Sequence, residues 1–440
     1  MRNLRNIRFS EVPLLGGLPL AATAWDASTD SLICAFGPAE DNAVIELKRK
    51  LQHEDANPEA LPGDMSLIAS WDAPCPNPDM KCDRILSLQY FPDTLIICLV
   101  LEGGDIIVVR EEPQPGEDKI EIVGSVDAGI SAAAWSPDEE LLAISTKANT
   151  LLYMTRDFEG AADIALSQED LKISQHVSVG WGKKETQFQG KRAKALRDPT
   201  MPEKVDEGKL SEFDDGKTTL SWRGDGAYLA LNSIETGIRR VIRVYSREGA
   251  LDSVSEPVDG LEGALSWRPS GNLIAGIQRL DDRIDVVFFE RNGLRHGQFT
   301  LRLSKEERLS WASNITLAWN ADSNVLAVQF KDRIQLWTTG NYHYYLKQEI
   351  SLSIDGASPL CTFRWHHEKA MRFTTSSPSM YSSSILSSVW VSRKLLTSFE
   401  ASLIDTDWVF EVAAGSTIIP NDFGSTAVID GCRSNILVYL

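Results

Sequence analysis

The chain has 440 residues, with 44 Lys and Arg against 62 Asp and Glu, a formal net charge of −18. Its 43% hydrophobic and 24% charged residues are those of a globular protein with room for two or three domains or one large repeat domain. The acidic balance excludes broad nucleic-acid binding, which needs clustered cations, and the longest apolar run, Leu95 to Leu101, is too short to span a bilayer.

The basic N-terminus, Met-Arg-Asn-Leu-Arg-Asn-Ile-Arg, has no apolar signal core after it, so a cytoplasmic setting is expected, or a nuclear one as well. Within it, Leu4 to Phe9 alternates apolar and polar residues and is a candidate closing strand. The first aromatic landmark follows in AATAWDASTDSLICAF, which carries Trp25. A Pro-rich piece, Pro58 to Asp79, reads as a loop of this first unit. Next, LSLQYFPDTLIICLVL has Tyr90 at the same place as Trp25.

The clearest unit is ISAAAWSPDEELLAISTKANTLLYM, residues 130–154. A small-residue strand ends in Trp135, a Ser-Pro-Asp-Glu turn follows, then an apolar strand, a Lys-Ala-Asn turn and a third strand. Turn-bounded runs of this kind predict an antiparallel meander. The unit recurs at Trp222, Trp267 and Trp319.

Trp135 and Trp222 are 87 residues apart, about twice the 45 that separate Tyr90 from Trp135. Trp181, in VGWGKKETQF, falls between them and reads as a further unit aromatic. The same stretch lacks G-x-x-x-x-G-K-[ST], with Val177 where the first glycine would stand and Lys184 where Ser or Thr would, so no nucleotide loop is expected. Residues 182–197 carry six cations against one glutamate; Lys183, Lys184, Lys191, Arg192 and Lys194 are candidates for a phosphate or acidic-partner contact. Only Phe188 is near for stacking, and the acidic stretch Asp206 to Asp215 directly after offers a local balance, which favours a plain solvated loop.

Seven aromatics, Trp25, Tyr90, Trp135, Trp181, Trp222, Trp267 and Trp319, thus predict an all-β fold: a seven-bladed WD40-like β-propeller over residues 1–352. The third strands never end in Trp-Asp, so apolar packing is expected to hold the blades in place of the usual WD side-chain network. Trp365 restarts the rhythm 46 residues after Trp319, and residues 353–440 read as the truncated start of a second propeller, irregular in the serine-rich piece 376–402.

The stretches VGWGKKETQF, TTLSWRGDGAYLAL, SEPVDGLEGALSWRPSGNLIAGIQ, DVVFFERNGLRHGQFTL and WTTGNYHYYLKQEISL together resemble the IKAP family, the largest subunits of the Elongator complex. The resemblance runs from the N-terminus to about residue 370 and weakly through AAGSTIIPNDFGSTAVIDG. It implies a non-catalytic scaffold with two N-terminal propellers, needed for modification of tRNA wobble uridines, whose partners are the other core Elongator subunits, among them a second propeller subunit and the catalytic radical and acetyl-transfer subunit. The family's dimerisation and main tRNA-binding segments have no counterpart in this sequence.

The alternative is a propeller hydrolase with a site in the central channel, which needs converging carboxylates, histidines or a metal. His366-His367-Glu368 is the one such cluster, and adjacent histidines on a strand face opposite ways, so a surface turn is the expectation. Six scattered cysteines, Cys34, Cys75, Cys82, Cys98, Cys361 and Cys432, form no C-x-x-C pair and read as reduced thiols. Asp138, Asp225 and Asp322 recur in turns and read as local turn-formers. No cofactor, metal or catalytic residue is expected.

Overall fold

A computed structural model describes residues 2–13, 17–50, 65–167, 206–351 and 362–377, with short breaks, and the strands within 380–391, 399–402, 417–420, 426–429 and 436–439. It divides into two compact units, Ser10–Ser383 and a second made of Met1–Phe9 with Ser384–Leu440.

The larger unit holds successive antiparallel sheets. The first is β2 (Leu20–Asp26), β3 (Ser31–Phe36), β4 (Val44–Lys50) and β5 (Ser66–Asp72); the second is β6 (Ile85–Phe91), β7 (Ile96–Leu101), β8 (Asp105–Arg110) and β9 (Ile120–Ser125). The third comprises β10 (Ile130–Trp135), β11 (Leu141–Thr146), β12 (Thr150–Thr155) and β13 (Gly160–Ala165). The fourth comprises β14 (Thr219–Trp222), β15 (Tyr228–Glu235), β16 (Arg239–Ser246) and β17 (Leu251–Val254). The fifth is β18 (Leu261–Trp267), β19 (Leu273–Arg279), β20 (Ile284–Glu290) and β21 (Arg295–Thr300); the sixth is β22 (Thr316–Trp319), β23 (Val325–Gln329), β24 (Arg333–Gly340) and β25 (His343–Ser351). Then come β26 (Thr362–Trp365) and β27 (Arg372–Ser377), followed in their sheet by β28 (Met380–Val391).

The first strands touch one another around a circle: β2 lies beside β6, β6 beside β10, β10 beside β14, β14 beside β18, β18 beside β22 and β22 beside β26, while β27 returns to β2. The first strand of each sheet is therefore innermost, and the fourth forms the rim. Burial follows from this order. The second strands are covered on both faces, as in β3, β11 and β23, so they read as continuous apolar runs instead of alternating ones. The rim strands β13 and β21 alternate exposed and half-buried residues. The core is a series of apolar clusters between neighbouring sheets, for example Ile33, Ile45, Ile97 and Leu99 between the first two. This is a β-propeller, built from sheets that bury their faces against each other and lose their open edges by closing the circle.

In the third to sixth sheets the turn after the inner strand places its fourth residue past the aromatic at positive φ: Glu139 at 62°, Gly226 at 67°, Gly271 at 99° and Ser323 at 61°. Gly226 and Gly271 adopt this without strain, whereas Glu139 and Ser323 are held there by the turn around them. A short helix, α1 (Lys305–Ser310), lies between the fifth and sixth sheets. Ser304 and Glu307 close its start reciprocally, Glu307 Oε2 accepting the Ser304 N–H at 2.6 Å and Ser304 Oγ the Glu307 N–H at 3.2 Å.

Three sequence expectations change here. No sheet separates the Trp135 and Trp222 units: β10 lies against β14, and Trp222 Nε1 donates to the Ala134 carbonyl at 3.0 Å. Trp181 lies outside the described residues. Conversely, the Trp365 strands belong to the circle and do not begin a separate propeller, since Trp365 Nε1 donates to the Ala318 carbonyl at 3.0 Å and the His366 ring meets Trp25 at 4.7 Å. Finally, the Pro-rich piece after Pro58 contains β5, the fourth strand of the first sheet, whose alternation is hidden between prolines.

β1 (Arg2–Pro13) pairs with β28, so the alternating N-terminus is indeed a sheet strand. β29 (Phe399–Ser402) also pairs with β28, and β30 (Thr417–Pro420), β31 (Thr426–Ile429) and β32 (Ile436–Tyr439) form a three-stranded antiparallel sheet.

Candidate functional site

The chemistry-bearing side chains gather at the junctions between sheets. The inner-strand aromatics lie there: Tyr90, Trp222, Trp267 and Trp319 are buried, and Trp25 and Trp135 are half-buried. What precedes each aromatic decides how the next sheet docks. Where it is Ser, its hydroxyl accepts the next aromatic's backbone N–H: Ser221 Oγ from Trp267 at 2.8 Å, Ser266 Oγ from Trp319 at 3.1 Å. Where it is Ala, its carbonyl accepts the next indole N–H, as at Ala134 and Ala318.

Charged pairs add a second tier. Arg49, at the end of β4, donates to both Glu111 oxygens at 2.9 Å, also contacts Asp26, and lies 4.9 Å over the Tyr90 ring. Tyr90 donates to Glu111 Oε2 at 3.1 Å, and burial pushes its hydroxyl up to about 12. Arg247 pairs with Asp138 across the third and fourth sheets at 2.8 Å, and Arg156 pairs with Asp93 across the second and third. Arg291 donates to the Tyr228 hydroxyl at 2.6 Å across the fourth and fifth. The expectation that apolar packing alone holds the blades is therefore corrected. Asp138 does shape its own turn, accepting from Ser136 Oγ at 2.5 Å, but it also clasps the next blade. The sequence signal was present: Arg156, Arg247 and Arg291 each stand just past a third strand, while Asp93 and Asp138 each stand three residues past an inner aromatic.

The acidic stretch 206–215 turns out to be a strap across the fourth and fifth sheets. Asp259 Oδ1 accepts the backbone N–H groups of Glu207, Gly208 and Lys209 at 2.9, 2.8 and 3.0 Å. Asp214 binds fully buried Arg240, with Nη2 to Oδ1 at 2.6 Å, and Asp206 reaches Arg295 at 3.3 Å. Ser211 donates to Glu262 at 2.9 Å, and Glu262 pairs with Arg279. Burial raises the Glu262 carboxyl in spite of that arginine. These acids are thus engaged by β-strand arginines within the fold. Lys183, Lys184, Lys191, Arg192 and Lys194 lie outside the described residues.

His366 and His367 form the expected turn, but His366 is not at the surface. They follow β26 with rings stacked at 5.0 Å; His366 is buried, and its Nδ1 accepts the Glu368 and Lys369 N–H groups at 3.2 and 3.1 Å. The first histidine is a turn-former in a blade junction. Among the described residues no three His, Cys, Asp or Glu side chains gather as a metal site, and Cys34, Cys75, Cys82 and Cys98 are free thiols. Burial holds Cys34 and Cys98 at about 12, well out of reactive range.

Asp26 yields a pH prediction. Burial alone would raise its carboxyl, but hydrogen bonds from Ser28, Thr29 and Arg49 outweigh that and hold it below the usual carboxylate range. With its folded pKa below its unfolded one, the stabilisation is complete above the unfolded value of roughly 4 and is lost as pH falls through the folded value. Asp26→Asn should destabilise the protein at pH 7 and by much less at pH 3. Urea unfolding at both pH values checks this; an equal loss at each would contradict it.

The family model described as the ELP1 first N-terminal beta-propeller matches residues 1–368. Elongator complex protein 1 of Schizosaccharomyces pombe is 41% identical over 445 residues, which is 100% of this chain and 32% of that protein. The Saccharomyces cerevisiae protein of the same name is 39% identical over 454 residues (95% and 30%), and that of Mus musculus 36% over 413 (91% and 28%). The chain spans about a third of the length of these relatives.

Proposed function

Because the chain belongs to the Elongator complex protein 1 family, we propose that it is a non-catalytic scaffold part of an Elongator complex that modifies tRNA wobble uridines. Its partners in this reading are the other core subunits, the catalytic radical and acetyl-transfer subunit and a second propeller subunit among them. The observation that carries the reading is the use made of the buried charges. Asp26, Asp214, Glu235, Glu262 and Asp285 each face an arginine, which consumes these acid–base groups in bracing single blades and the strap. A channel hydrolase would need such groups converging on open space.

The propeller domain in this proposal ends after β27, not at residue 352, because Trp365 and His366 complete the circle against Ala318 and Trp25. The working place is the cytoplasm, and the nucleus as well, in keeping with four free thiols among the described residues.

The basic segment 183–197, for which the sequence favours a plain solvated loop, is in this proposal a phosphate contact; in its support, Asp206 and Asp214 are engaged by Arg295 and Arg240. Changing Lys183, Lys184, Lys191, Arg192 and Lys194 together to Glu should weaken tRNA binding by the assembled complex slightly, more at low salt, and leave assembly intact. The purified chain incubated with tRNA should leave wobble uridine unmodified by mass spectrometry. Turnover by the chain alone would overturn the scaffold reading, and unchanged tRNA affinity in the variant at low salt would remove the phosphate contact from it.

A further inference from the structure

Sheets that fan out from an axis leave gaps that widen toward the rim, and side chains of the outer strands must fill them. Between the fifth and sixth sheets they do. Phe299 of β21 stacks on Tyr344 of β25, ring centroids 4.7 Å apart at 17°, and lies 4.6 Å from Trp337.

Strand register shows what stands at the same positions between the second and third sheets. In the fifth sheet Asp285 pairs with Thr300 and accepts from its hydroxyl at 2.7 Å, and Val286 pairs with Phe299. In the second sheet Asp105 pairs with Ser125 and accepts from its hydroxyl at 2.9 Å, and Ile106 pairs with Gly124. Gly124 is the counterpart of Phe299. In the sixth sheet Leu326 pairs with Trp337, which pairs with Leu346; in the third, Leu142 pairs with Met154, which pairs with Gly160. The bulk of Phe299, Trp337 and Leu346 is thus replaced by Gly124, Met154 and Gly160.

The result is an open cleft of about 530 Å³, floored by Ile106, Val126, Leu152 and Met154. A Cβ placed on Gly160 would meet nothing within 4 Å, whereas one on Gly124 would meet Ile106 Cδ1 at 3.3 Å and Met154 Cε at 3.6 Å, so the open space lies on the Gly160 side.

The rim is acidic. Ala162 and Ile164 of β13 pack toward the fourth sheet, so Asp163, which alternates with them, faces the cleft from the other side of the strand. Asp127 adjoins the lining residue Val126, Glu159 precedes Gly160, and none of the lining residues is Lys or Arg.

We propose that this cleft receives a large apolar side chain, aromatic or leucine-sized, from an extended segment of a partner protein that carries Lys or Arg on either side of it. The anchor restores the packing that Phe299 and Leu346 give the other junction, and the flanking cations meet Asp163, Asp127 and Glu159. The inference rests on the reading of the chain as a docking platform and names one place where docking occurs.

The test uses the full 440-residue chain and a fluorescent peptide, Lys-Thr-Lys-Phe-Lys-Thr-Lys, read by anisotropy. Binding should saturate, weaken with salt, and fall at least tenfold when the peptide's Phe becomes Ala or its lysines become Glu. Gly160→Leu, which refills the cleft at a site with open space, should abolish binding without lowering the melting temperature. Asp163→Lys should weaken binding and flatten its salt dependence, and serves independently should Gly160→Leu perturb folding. Equal binding of the Phe and Ala peptides, or unchanged binding by both protein variants, would overturn the proposal. So would binding that appears only when residues 168–205 are replaced by a short Gly-Ser linker, since the cleft would then belong to the chain's own segment. None of these outcomes touches association with Elongator subunits, which is measured separately.

Discussion

Trp267→Ala is expected to destabilise the propeller by roughly 3–5 kcal/mol, the range for emptying a large buried aromatic site. Trp267 is 2% exposed and packs among Val244, Leu265, Ile274 and Phe289 at the junction of the fourth and fifth sheets. Its indole N–H donates to the Gly271 carbonyl at 3.2 Å, tying the aromatic to its own turn. The backbone N–H that docks on Ser221 survives the substitution, so the loss reports side-chain packing. Chemical denaturation measures it, and an unchanged midpoint would mean that the junction is not held by this ring.

Arg240→Met should cost a similar amount, roughly 3–5 kcal/mol, by a different route. The Arg240 side chain is fully buried and Asp214 is 6% exposed, so removing the cation strands a carboxylate away from water. Asp215, at 3.6 Å, and the Lys217 carbonyl, accepting at 2.8 Å, lose the same partner. Replacing both Arg240 by Met and Asp214 by Leu should recover much of the loss, because the desolvation of both charges disappears together. Denaturation of the two variants separates this from simple overpacking; a double variant no more stable than Arg240→Met alone would contradict it.

Much of the architecture was legible because one local rule repeats: an aromatic closes a strand, a polar turn follows, and an apolar strand comes next. That rule found the inner strands at Trp25, Tyr90, Trp135, Trp222, Trp267 and Trp319. It misled where spacing stood in for pattern. Trp181 falls near the middle of an 87-residue interval, yet the sheets on either side of it meet directly through Trp222 and Ala134. Having counted Trp181, the reading had no room in the circle for Trp365, although its 46-residue spacing was in register.

The ion pairs were harder to see for a physical reason. Arg49 meets Glu111, Arg247 meets Asp138 and Asp206 meets Arg295 across 62 to 109 residues, and nothing local joins them until ring closure makes neighbours of successive sheets. The rim cleft is subtler still. Gly124 and Gly160 look like ordinary strand glycines until register aligns them with Phe299 and Leu346.

The scaffold account is tested most directly by co-expressing this chain with the remaining Elongator subunits and purifying through a tag on the catalytic one. The account predicts that the chain is recovered with that subunit in fixed proportion through size-exclusion chromatography. A folded chain that elutes alone, while the tagged subunit assembles with the rest, would contradict it.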